Sequence, residues 1–238
     1  MLHIEDSSAL TYADLEAVQD MLGYHFRDEV LLLLSLTHRS FTRFDPSHCP
    51  SNERLEFLGD SVLGLVISHQ LFQDFPDTRE GDLTKTKAKL VNEVALAYVA
   101  HKVGFPKHLR LSPEEDRAGG RRRPSIVSDA FESIIAAVYL DGGLDAARDV
   151  ILRLIYTRRD EILNDTAQRN FKGELLELVQ ARDSQMPHYE VISEDGPDHQ
   201  KIFHVRVMVL GCELGQGKGA SKKEAEQKAA AVALSQMN

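Results

Sequence analysis

Up to about Leu163 apolar residues recur at three- and four-residue spacing with few alternating stretches, and this period predicts helices. The segments are Tyr12 to Leu22, Asp28 to Thr37, Glu53 to Phe72, Glu80 to Val103, Ser125 to Leu140 and Leu144 to Ile162. Gly23, Pro46 to Pro50, Pro76, Gly104 with Pro106, Gly119-Gly120 and Asp141-Gly142-Gly143 punctuate them. An all-α domain over residues 1–163 is expected. The polar stretch Asn164 to Asn170 has no period and reads as a linker, 164–170.

Beyond it the grammar changes. A short helix, Phe171 to Arg182, precedes segments that alternate as strands do: Phe203, Val205, Val207 and Val209 fall on one face, His204, Arg206 and Met208 on the other. Tyr189 to Ser193 and Cys212 to Gly217 complete a three-stranded meander, closed by a helix from Ser221 to Met237. The second domain, 171–238, is therefore α+β in the order α-β-β-β-α.

The longest apolar run, Val30 to Leu34, is far shorter than the roughly 20 residues that cross a bilayer, so it is expected to be a buried helix with no membrane role. No secretory pattern follows Met1, which makes a cytoplasmic location the expectation. Cys49 and Cys212 stand far apart, without the clustering of a zinc site or a disulfide framework, and read as reduced thiols.

The net charge of −9 argues against a broadly basic nucleic-acid surface. From Phe171 onward eight basic residues face ten acidic ones, giving −2 and leaving −7 for the first 170 residues. Any RNA contact must then come from a local basic patch, and part of the acidity can form a cluster that attracts divalent cations.

Such a cluster is visible. Glu53, Glu56 and Asp60 lie at i, i+3 and i+7, along one stripe of a helix, with Leu55, Leu58, Val62 and Leu65 on the apolar side. Gly59 costs a helix interior about 1 kcal/mol relative to Ala, which suggests that another backbone approaches beside Asp60. A second helix carries Asp129 and Glu132 at i and i+3 among Ile126, Val127, Phe131, Ile134 and Ile135. If the two helices pack, Glu56, Asp60, Asp129 and Glu132 converge. Like charges about 4 Å apart at an effective dielectric near 20 repel by about 4 kcal/mol, so the site must protonate or recruit cations. Oxygen donors without His or Cys favour Mg²⁺, with Mn²⁺ as a substitute, and no small-molecule cofactor. Ions held in this way support hydrolysis of a phosphodiester. The chain has neither a Ser-His-Asp pattern nor a phosphate-cradling glycine loop.

At the C-terminus Ser221 and Glu224 form a capping box that opens the last helix, placing Lys222 and Lys223 in its first turn. Lysines there oppose the helix dipole, but they suit an anion docked on the free N–H groups.

The stretch NERLEFLGDSVL, Asn52 to Leu63, resembles the signature of the ribonuclease III family, and SDAFESIIAAVYLDGG, Ser128 to Gly143, resembles its second acidic helix. Leu36-Thr37-His38-Arg39-Ser40 and Glu80-Gly81-Asp82 sit where that family has similar segments. The resemblance implies an endoribonuclease for double-stranded RNA. Glu56, Asp129 and Glu132 would ligate the metal, with Asp60 and Glu132 essential to hydrolysis. Glu53 and Glu80 match auxiliary acids, and His38 is either a substrate contact or a helix-end residue bonded to nearby backbone. The same resemblance implies 5′-phosphate and 3′-hydroxyl products with a short 3′ overhang, structured ribosomal and messenger precursors as substrates, and a homodimer. Leu58 and Val62 adjoin the acid stripe and belong either to its interface or to the core packing of the domain.

The C-terminal half resembles a double-stranded RNA-binding domain. By that resemblance Gln180 and His199 reach minor grooves, while Lys218, Lys222, Lys223 and Lys228 meet phosphates. Two positions depart from it: Leu176 replaces a polar RNA-facing residue, and Glu226 replaces a third lysine. The alternative reading is a catalytically silent RNA-binding scaffold, which would more readily have lost one of its four acids.

Overall fold

The computed structural model describes residues 12–44, 50–164, 170–183, 186–197 and 201–237. Contacts divide the chain into two compact units, Met1–Asp165 and Thr166–Asn238.

The first unit is helical: α1 Tyr12–Leu22, α2 Glu29–Ser35, α3 Arg39–Phe44, α4 Glu53–Asp74, α5 Glu80–Leu90, α6 Glu93–Val103, α7 Pro113–Arg117, α8 Pro124–Leu154 and α9 Arg159–Leu163. Its core forms where α4 and α8 pack, with Leu63, Ile67, Phe131, Ile134 and Ile135 at most 1% exposed. Phe105 and Phe131 add a tilted ring contact with centroids 5.5 Å apart.

Several sequence expectations change. The helix expected from Glu80 to Val103 is two, because Asn92 leaves helical geometry and its side chain caps α6 by accepting from the Ala95 N–H at 2.9 Å. The segments expected as Ser125 to Leu140 and Leu144 to Ile162 are two helical stretches that follow one another within α8 and break where expected, at Gly143, whose φ of 81° and ψ of −177° are not helical. That helix stops at Leu154, and a 3₁₀ turn leads to α9. Periodicity missed α3 and α7, which have too few residues to show a stripe. The Val30 to Leu34 run buries only one face: Leu32 is fully enclosed and Val30 is 68% exposed. Leu65, expected on the apolar side of α4, is exposed, as are Phe57 and Phe72. Among the described residues no helix is long and apolar enough to cross a membrane.

The second unit has the order α10 Phe171–Asp183, β1 His188–Asp195, β2 Ile202–Val209, β3 Cys212–Gly219 and α11 Lys222–Met237. The strands form an antiparallel sheet in chain order, with Tyr189 opposite Val207 and Val207 opposite Gly215. On the face expected to be apolar Val205, Val207 and Val209 are buried, and Val207 and Val209 meet Leu175 and Val179 of α10 and Ala229, Ala230 and Ala233 of α11. Alternate glycines of β3 let α11 lie directly on the sheet. A β-carbon on Gly217 would stand 2.2 Å from the Ala225 carbonyl oxygen. Cys212 is free and exposed, whereas Cys49 lies outside the described residues.

Candidate active site

The start of α4 is pinned from three directions. The Asn52 N–H donates to the Thr37 carbonyl at 2.9 Å, and its side-chain amide donates to the Ser35 carbonyl at 3.3 Å. From α8 the Ser133 hydroxyl donates to the Asn52 carbonyl at 3.1 Å. Glu56 follows one turn later, at the helix end where the dipole favours negative charge.

Gly59 then does what its cost implied. A β-carbon on it would lie 1.8 Å from the Glu132 carbonyl oxygen, so only glycine lets the α8 backbone come this close. This contact brings the two acid pairs together. Glu56, Asp129 and Glu132 each offer a carboxylate oxygen within 4.8 Å of the others, and all three are half-buried. Asp60 stays exposed outside that ring. Its charge nevertheless weighs most on Glu132 among the acids.

The electrostatics are those of a crowded anionic site. Burial first, then Asp60, Asp129 and Glu56, push the Glu132 carboxyl up to about 8. Glu56 and Asp129 are also raised, chiefly by burial, and the Arg39 guanidinium opposes both shifts. Three hard oxygen donors that repel one another, with no nitrogen or sulfur ligand, fit a divalent cation of the Mg²⁺ class.

Beside the acids lies a cavity of about 460 Å³ whose walls include Glu53, Glu56, Asp129, His38, Arg39 and Arg123. Arg123 is held 2.7 Å from Glu115, and Glu53 faces Arg39 at 3.7 Å while accepting from the Ser51 hydroxyl. His38 has the local backbone bond of the helix-end reading and also faces the cavity. It lines the cavity, and its Nδ1 accepts from the Ser40 N–H at 3.2 Å at the start of α3. Burial lowers its pKa below the ordinary imidazole value, against the opposing charge of Glu115. Glu80 is not in the acid cluster and accepts instead from the Thr84 hydroxyl at 2.8 Å. Arg39, Arg123 and Ser133 were not singled out from the sequence. A serine within a run as apolar as that of α8 was the one available signal.

In the second unit Ser221 caps α11 as expected, its Oγ accepting from Glu224 N–H, while the Glu224 carboxylate accepts from Ala220 N–H, one residue before the N–H that a full capping box uses. Gln180, Lys218, Lys222, Lys223 and Lys228 are all exposed. His199 lies outside the described residues. The lysines are not equivalent: Lys222 faces Glu194 at 3.3 Å, Lys228 faces Glu224 at 2.7 Å, and Lys223 opens on a hollow beside α10.

Comparisons agree with this arrangement. Residues 28–159 match a family model described as Ribonuclease-III-like, and residues 171–237 match the Double-stranded RNA binding motif. A protein named Ribonuclease 3 from Caldanaerobacter subterraneus is 46% identical over 220 residues, covering 92% of this chain and 96% of that protein. Another, from Syntrophobacter fumaroxidans, is 44% identical over 227 residues, 92% of this chain and 93% of its own. A solved nuclease domain of ribonuclease III from Campylobacter jejuni, whose structure describes flexibility in a region involved in dimer formation, is 43% identical. It covers 60% of this chain and 96% of its own length at a TM-score of 0.56. A ribonuclease-III-like helical unit with paired acids on α4 and α8, followed by a double-stranded RNA-binding fold, makes this chain an enzyme of the ribonuclease III family.

Proposed function

We propose that this protein cuts both strands of duplex RNA by metal-dependent hydrolysis, leaving 5′-phosphate and 3′-hydroxyl ends with a short 3′ overhang. The observation that carries the proposal is the convergence of Glu56, Asp129 and Glu132 within 4.8 Å. These three hold Mg²⁺, or Mn²⁺ in its place. A bound divalent ion supplies an acidified water and neutralises charge on the phosphodiester. Asp60 offers an exposed carboxylate at the rim and Glu132 a half-buried one; hydrolysis depends on both. Glu53 and Arg39 line the cavity beside these acids.

The division of labour follows domain limits at 1–163 and 171–238, joined by 164–170. Gln180, His199, Lys218, Lys222 and Lys223 hold the duplex by its A-form shape and phosphates rather than by sequence. The working form is a homodimer in which each subunit cuts one strand. Exposed Phe57, Leu65 and Phe72 on α4 support that reading, since apolar side chains this large are costly to leave in water. Of the two residues left between interface and core by the sequence, Val62 is 6% exposed and packs in the core, and Leu58 is half-buried. The enzyme works in the cytoplasm on structured ribosomal and messenger precursors.

Incubation of long duplex RNA with Mg²⁺ and with EDTA is the test. Cleavage only with the metal is expected. Undiminished cleavage in EDTA, or equal cleavage of duplex DNA, would reject the proposal.

A further inference from the structure

Glu226 stands on the first turns of α11, and the structure shows what it holds. Its carboxylate lies 2.6 Å from Lys172 Nζ on α10. The two side chains are 26% and 34% exposed, the most shielded lysine–carboxylate pair among the described residues of the second unit. The Lys172 ammonium also rests 4.5 Å above the Tyr189 ring, so it is held by charge and by the aromatic face together. At the root of the pair the Lys172 N–H donates to the Gln227 side chain at 3.2 Å. Glu226 and Gln227 of α11 therefore clamp the start of α10.

Lys172 lines the same hollow as Lys223, a depression of about 540 Å³ also walled by Leu176, Tyr189 and Gln227. Two cations, Lys172 and Lys223, thus share one hollow at the start of α11, but the charge of Lys172 is already spent on Glu226. The pairs Lys222–Glu194 and Lys228–Glu224 are more exposed and do not line this hollow.

We propose that Lys172 and Lys223 form a phosphate-binding pair for duplex RNA and that Glu226 is an internal competitor that occupies Lys172 and lowers the affinity. The proposal rests on the RNA-binding reading above and adds to it a cation and a carboxylate with opposed effects. A phosphate reaching the hollow must displace the Glu226 carboxylate. RNA binding to this chain is thereby made weaker and less salt-dependent than its lysine content alone implies.

The test is duplex-RNA binding by the full-length protein in EDTA, followed by fluorescence anisotropy across a KCl series. Glu226→Gln keeps the shape and removes the charge. It is expected to tighten binding about three- to tenfold at low salt and to steepen the log–log salt slope by about one. Glu226→Ala should do the same if the glutamine perturbs packing. In Lys172→Met/Glu226→Gln the gain should disappear. Unchanged affinity and slope in both Glu226 variants would overturn the inference while leaving the RNA-binding reading intact. Persistence of the gain in the double variant would also overturn it, because simple removal of a repulsive charge would then account for the effect. No duplex binding by the parent protein would sink both.

Discussion

Gly59 on α4 lies against the backbone of Glu132 on α8, with a would-be β-carbon 1.8 Å from the Glu132 carbonyl oxygen. This single close approach sets the spacing of the acidic cluster, because Glu56 and Asp60 flank the glycine on one helix and Asp129 precedes Glu132 by one turn on the other.

Gly59→Ala therefore opposes two effects. Helix propensity favours alanine by about 1 kcal/mol, while overpacking against a fixed backbone costs about 1–3 kcal/mol and moves the helices apart. The clash is with backbone, which cannot rotate aside, so packing wins. The thermal midpoint should fall and cleavage should drop more than tenfold. A variant with a raised midpoint and full activity would contradict this account of the contact.

Glu132→Gln and Asp60→Asn should each abolish cleavage of duplex RNA while leaving binding to it intact. The measurement is single-turnover cleavage beside an RNA-binding isotherm. Wild-type turnover in either variant would remove these carboxylates from the reaction.

The buried acids also fix how stability responds to pH. The Glu132 carboxyl titrates near 8 in the folded protein against 4.5 in an ordinary setting, so between those values the folded state binds more protons than the unfolded one. Stability of the metal-free protein is then highest below about 4.5 as far as this group is concerned, and falls as pH rises through 8. The loss should amount to a few kcal/mol, less than the shift alone implies because the group is only partly shielded from water. Chemical denaturation at pH 6 and 8.5, with EDTA and with Mg²⁺, measures it. Mg²⁺ should recover stability most at the higher pH, and Glu132→Gln should flatten the EDTA profile. A parent profile that is already flat would mean that the carboxyl is not displaced upward.

Lys223 and Lys222 should differ although they are neighbours. Lys222 is engaged by Glu194 and stands over the Phe203 ring at 5.5 Å, whereas Lys223 faces the hollow. Lys223→Ala should reduce RNA affinity and the salt slope more than Lys222→Ala, and the double variant should do most. Equal effects of the two single variants would show that the Glu194 contact is lost without cost when RNA binds.

What the sequence determined by itself is the local grammar and the chemical vocabulary. Helical spacing marked α1 and α4, alternation marked β2 with its buried valines, and the Ser221–Glu224 spacing marked the cap of α11, because each depends on neighbours within one or two turns. The residue types Glu56, Asp60, Asp129 and Glu132 named the chemistry, and the cost of Gly59 hinted at a close backbone. Tertiary structure alone decided which three carboxylates form the tight ring, that Asp60 stands outside it, and that Glu80 is elsewhere. It also decided that α5 and α6 are separate, and that Glu226 spends the charge of Lys172, 54 positions away in the chain. Distances between residues far apart in sequence follow from how two helices pack. Packing is set by the summed shape of many side chains, which no local pattern records.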